Sequence, residues 1–145
     1  MRIATCSYDR YDPSMGLPVR ITVGAAPRGL PYLVRHHLGE LAPDVTTLRA
    51  SWELFRSAYL RKLEAVDVDE VRRVLRGIAL TERADPDTTT AVLLTHADLS
   101  NRGAWCHRTL FAAWWAAETG ELVPELGGLP GTHALNGPPA DGAIF

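Results

Sequence analysis

Apolar residues between 48 and 66 recur at three- and four-residue steps: Leu48, Trp52, Phe55, Tyr59, Leu63 and Val66. This is the period of a helix that turns one stripe toward a core, and Arg49, Glu53, Arg56 and Lys62 fall mostly on its other side. Asp67 restarts the pattern as a second helix. Glu70 follows three residues on in a capping-box arrangement, and Val71, Val74, Leu75 and Ile78 form the buried edge. Pro86 breaks that helix. A third helix is expected from about Cys106 to Glu118, with Gly120 as its stop.

Elsewhere the period changes. RIATCSY (2–8), LPVRITVG (17–24) and TTTAVLLTHA (88–97) read as strands, and the unbroken AVLL suits a central strand covered on both faces. ELV (121–123) is a candidate for a last short strand. YLVRHHLGELAPD (32–44) has no clean period and reads as loop or one short helical turn. Residues 124–145 are rich in glycine and proline, so the expected division is an α/β domain over 1–123 and a C-terminal tail beyond it. The tail could also be an arm that docks Ile144 and Phe145 on a neighbour.

Strands alternating with helices predict a single-domain α/β layered sandwich, a small and mainly parallel sheet flanked by helices. Ligands of such sheets bind outside the carboxyl ends of the strands. The segments Cys6–Arg10, Gly24–Arg28 and His96–Arg108 leave strands there and are expected to converge.

Composition narrows the class. The 145 residues are 46% hydrophobic and 22% charged, ordinary values for one globular domain. A net charge of −2 gives no global basic field for coating nucleic acid. No run reaches the length of a membrane span, and MRIATCSYDR lacks the apolar core of a signal peptide, so no membrane partner and a cytoplasmic location are expected. Cys6 and Cys106 are too few for a disulfide framework or a four-thiolate zinc site. Oligomeric state and cofactor leave no mark in the pattern.

The chemistry concentrates in RGAWCHRTLFAAWW (102–115). Cys106 opens the third helix with His107 and Arg108 beside it and Arg102 four residues before. A helix start favours negative charge, so this arrangement suits an activated thiolate or a bound phosphate or carboxylate. It equally suits a small, inert, buried cysteine packing the first turn, with Arg108 as a surface charge.

VLLTHADLSNRGAWCHRTLFAAWW resembles the C-terminal signature of domain-of-unknown-function family 488, in which an apolar strand and a loop lead to Cys-His-Arg opening a helix. PVRITVGAAPRG and LGELAP are similar to that family's second strand with its basic loop and to its Glu-Leu-Ala-Pro segment, so the resemblance covers about residues 2–123. It implies a compact α/β protein and a setting in nucleic-acid repair or modification, and no reaction. Members commonly carry a second cysteine where this chain has Thr95, so a redox pair from those two positions is not expected here.

The expected site is an open, positively biased hollow faced by the Cys106 sulfur. His107, Arg108 and His96 are its candidate catalytic groups beside Cys106. Arg28, Arg102 and Arg20 are candidate ligand contacts, and Ser7 and Tyr8 weaker hydroxyl donors. His36, His37 and His96 share no spacing with Cys106 and His107 that announces zinc, so no metal site is assigned. The leading expectation is binding of a nucleotide or nucleic-acid end, with Cys106 as nucleophile. The alternatives are a protein-interaction module using the tail and a redox sensor pairing Cys6 with Cys106.

Overall fold

Ala91, Val92, Leu93 and Leu94 have no exposed surface, because strands flank them on both sides. In the computed structural model, which describes residues 1–96 and 106–127, they form β4 (Thr90–Thr95). On one side lies β1 (Arg2–Ser7), on the other β2 (Leu17–Arg20), with β3 (His36–His37) beyond it. All three pairings are parallel. The molecule is a mixed α/β fold on a four-stranded parallel sheet.

The helices are α1 (Trp52–Glu64), α2 (Val68–Thr81) and α3 (His107–Thr119). Side chains alternate between the two faces of a strand, and the core divides accordingly. Ile3, Val19, Ile21, Ala91 and Leu93 share one cluster with Phe55 and Tyr59 of α1, Leu75 of α2 and Phe111 and Trp115 of α3. Cys6, Tyr8, Val92 and Leu94 face the other way, against Tyr11, Leu30, Tyr32 and Val34. Helices therefore cover one face and loops the other. Tyrosines knit the loop layer: Tyr11 and Tyr32 meet edge to face at 4.6 Å, and the Tyr11 hydroxyl donates to the Gly16 carbonyl at 2.6 Å.

The helix starts follow their sequence signals. Ser51 caps α1 by accepting from Leu54 N, and Asp67 caps α2 by accepting from Asp69 N and Glu70 N. Gly120 closes α3 at φ 76°, the left-handed conformation that glycine adopts without a steric cost.

Three expectations change. The second strand, read over 17–24, ends at Arg20. The segment 32–44 does form a helical turn, over Gly39–Leu41, but it also contributes β3. A strand of two histidines gives no periodic signal. ELV is not a strand; the chain instead meets β1 two residues later, where Thr5 N donates to Pro124 O at 2.9 Å and Leu126 N donates to Thr5 O at 2.7 Å. Residues 124–126 thus line the free edge of β1 and belong to the body of the fold. Residues 128–145, including Ile144 and Phe145, lie outside the described residues.

Gly16, just before β2, has φ 145°, and a Cβ there would stand 2.2 Å from the Thr90 carbonyl oxygen. Backbone cannot yield as a side chain does. Gly16→Ala is expected to lower stability by roughly 2–4 kcal/mol in urea denaturation. Gly24→Ala, where a Cβ meets nothing within 4 Å, should change it by less than about 0.5 kcal/mol.

Candidate functional site

Cys106 is the N-cap of α3, in extended backbone, and its side chain makes no capping hydrogen bond. The apolar stripe of Leu110, Phe111 and Trp115 holds α3 against the sheet and so fixes where this first turn stands. The sulfur is not at an open hollow, as expected, but sealed: Cys106, His107 and Arg108 each have 0% exposure. The packing around it is polar.

His107 Nε2 donates to the Ile21 carbonyl at 2.7 Å, and Tyr59 of α1 meets the imidazole edge to face at 5.4 Å. With Nε2 so engaged, Nδ1 faces the sulfur at 3.4 Å. That nitrogen can accept the thiol proton or, once protonated, donate to a thiolate. Thr95 Oγ1 lies 3.2 Å from the sulfur and accepts an N–H from Arg108 Nη1. The hydroxyl's own hydrogen is then free to point at a thiolate. Burial pushes the Cys106 thiol up, but the imidazole, the guanidinium and the Thr95 hydroxyl together outweigh it and bring the thiol down to about 6.

Arg108 is not a surface charge. Its Nε and Nη2 donate to the two oxygens of Glu125 at 2.9 and 3.0 Å, a forked pair, and Thr5 Oγ1 donates to the same carboxylate at 2.8 Å. Glu125 is held there by the backbone bonds of 124–126 to β1. It falls in the segment read from sequence as tail. A lone acid in the apolar run LVPEL was its only signal.

The other sequence candidates divide between the two sheet faces. Ser7 is the register partner of Thr95, so its side chain hangs on the helix face; it is 1% exposed and its hydroxyl has no hydrogen-bond partner. Tyr8 and His96, one residue further along their strands, turn to the loop face, where their rings meet at 4.9 Å. The Tyr8 hydroxyl lies 2.9 Å from Thr22 Oγ1 and its own titration is raised by burial. Burial likewise holds half-buried His96 below the usual imidazole range, against an opposing pull from Asp9. Arg20 spends its guanidinium on the Thr22 and Gly24 carbonyls. Arg28 is exposed, and Arg102 lies outside the described residues. Of the expected ring of arginines, Arg108 stands beside the sulfur among the described residues, and Arg20 and Arg28 do not join it.

Cys6 faces the loop layer and donates to the Leu126 carbonyl at 3.3 Å. Burial, then the nearby Glu125, push its thiol up to about 11. Both cysteines are free and buried; Cys6 belongs to the loop-side cluster, whereas the Cys106 sulfur meets Thr95. Among the described residues no three His, Cys, Asp or Glu converge on a metal position, and no helix is long and apolar enough to cross a membrane. His36 and His37 turn to separate partners, Glu82 at 2.8 Å and the Thr22 carbonyl at 3.0 Å.

Fold and site together define an α/β protein carrying a sealed thiol–imidazole pair at a helix start. No protein-family model, no curated protein and no solved structure matches the chain.

A buried guanidinium deprived of its carboxylate is costly. Glu125→Ala is expected to destabilise the fold by about 3–5 kcal/mol, whereas Arg108→Met with Glu125→Leu should recover most of that loss. Thermal or urea unfolding of the single and double variants checks it. A chain ending at 123, which also loses the backbone bonds of 124–126, should be destabilised at least as much as Glu125→Ala.

Proposed function

We propose that this chain is an enzyme with a cysteine nucleophile, in which Cys106 attacks and His107 Nδ1 keeps its proton. One observation carries the reading: Cys106 Sγ stands 3.4 Å from a ring nitrogen whose tautomer is set by the Ile21 carbonyl. A base held by a third group beside a nucleophile is the general signature of nucleophilic catalysis. The position of the thiol at a helix start supports it further, since the aligned peptide dipoles favour the anion. The resemblance to domain-of-unknown-function family 488, which rests on Cys-His-Arg opening a helix, fits the same residues. A reducing cytosol would keep both thiols free.

A phosphate-bearing ligand over the start of α3 retains one support, a helix start that the Cys106 side chain does not itself cap. The arginine support is weaker, because Arg108 is already answered by Glu125. The thiol half of the reading is thus the better founded.

Alkylation by neutral iodoacetamide across pH tests it. A thiolate reacts and a thiol does not, so the rate should rise as pH passes through about 6 and be flat above it. An ordinary thiol would still be gaining near ~8.5. Mass spectrometry should place the label on Cys106 and not on Cys6, whose thiol is pushed the other way, to about 11. His107→Gln should move the midpoint up toward the ordinary thiol range. A wild-type midpoint near that range, or a folded protein whose Cys106 takes no label at any pH, sinks the proposal.

A further inference from the structure

We infer that Ser7 is the oxyanion donor of this site and that its substrate is a neutral carbonyl compound, an ester or amide, rather than a phosphorylated one. This rests on the reading of Cys106 as a nucleophile and adds the substrate's class.

The first observation is the hydroxyl itself. Ser7 ends β1 in register with Thr95, whose own hydroxyl touches the Cys106 sulfur. On the same face of β1, Thr5 Oγ1 bonds Glu125. Every side-chain hydroxyl of this strand-end row is engaged by the Cys106–Arg108–Glu125 network except that of Ser7, which is sealed at 1% exposure with no partner. A buried hydroxyl is ordinarily bonded. One left over next to Thr95, whose hydroxyl meets the sulfur, has a donor to spend on a bound oxygen.

The second observation is the charge of the sealed groups. Arg108 is answered by Glu125 and a Cys106 thiolate is answered by protonated His107, so the four cancel. A phosphate would bring further negative charge into this packing with no unanswered cation among the described groups around the sulfur, and burying such charge is costly. A neutral carbonyl brings none. When the thiolate adds to it, the single negative charge already present moves from sulfur to oxygen.

In the first step the sulfur lone pair forms the S–C bond while the C–O π pair moves onto oxygen, which accepts from Ser7 Oγ–H. The adduct collapses: the carbonyl re-forms, the alcohol or amine departs with the proton from His107 Nδ1, and a thioester remains on Cys106. Water then adds to the thioester as His107 takes its proton, and the acid leaves with the thiolate and imidazolium restored.

Alkylation at a saturated carbon develops no oxyanion, whereas acylation does, and this separates Ser7 from the thiolate. With p-nitrophenyl acetate as probe, the wild type is expected to release p-nitrophenolate in a burst and carry an acetyl group on Cys106. Ser7→Ala should slow that acetylation by about 10²-fold, in line with loss of one oxyanion donor, and leave the pH midpoint of iodoacetamide labelling where it is. p-Nitrophenyl phosphate should leave no phosphoryl adduct. Because the hydroxyl bonds nothing in the fold, Ser7→Ala should melt at or above the wild-type temperature. Acetylation of Ser7→Ala at the wild-type rate, a melting point several degrees lower, or a phosphoryl adduct overturns the inference alone. An ordinary-thiol labelling midpoint in the wild type overturns it together with the reading beneath it.

Discussion

A guanidinium with no exposed surface must be answered inside the fold, and Arg108 is answered by a carboxylate from the far end of the described chain. The forked pair with Glu125 orients the planar guanidinium so that Nη1 reaches Thr95. Thr95 in turn has one lone pair taken, and its hydrogen is available to the sulfur. The same carboxylate accepts from Thr5 and is pinned by the backbone bonds of 124–126 along β1. Sheet edge, ion pair, hydroxyl and thiol are therefore one assembly. A buried pair of this kind adds little net stability, but removing either partner leaves an unanswered charge in the interior.

What was legible in the sequence follows from which signals are local. The Asp67 cap, the Gly120 stop and the AVLL run each act within a few residues and appear in the structure within a residue or two of where the pattern sets them, whereas the stripe that starts at Leu48 enters a helix only at Trp52. The placement of Cys106 at the first turn of α3 is of the same kind. Partnership across the chain is not local. Glu125 lies 17 residues after Arg108 and 120 after Thr5, in a stretch whose composition reads as tail. β3 was missed for the opposite reason, since two residues pair with β2 because their neighbours bring them there.

The arginines show the limit of reasoning from residue type. Arg20 and Arg28 were expected to share a cleft with Arg102 and Arg108 because each can grip an anion. Arg20 turns back on the carbonyls of its own loop, where Thr22 and Gly24 leave oxygens unmet by the sheet. Arg28 stays exposed. Ser7, one of the weaker candidates, gains weight instead, because strand register sets it beside Thr95. Register is a property of the folded sheet and has no counterpart in a single strand's sequence.

Cys6 and Cys106 form a controlled comparison within one molecule. Both sulfurs are sealed, so desolvation opposes the anion at each. Cys6 lies near the end of the edge strand β1 with a carbonyl oxygen as its partner and the Glu125 charge nearby, and its thiol is driven upward. Cys106 stands at a helix start between an imidazole and a hydroxyl, with a guanidinium behind, and its thiol is driven downward. Burial is common to both and cannot be what separates them. The difference lies in the polar atoms that the strand ends and the first turn of α3 bring to one sulfur and withhold from the other. Exclusion of water strengthens each of those contacts as long as every group involved has a counterpart.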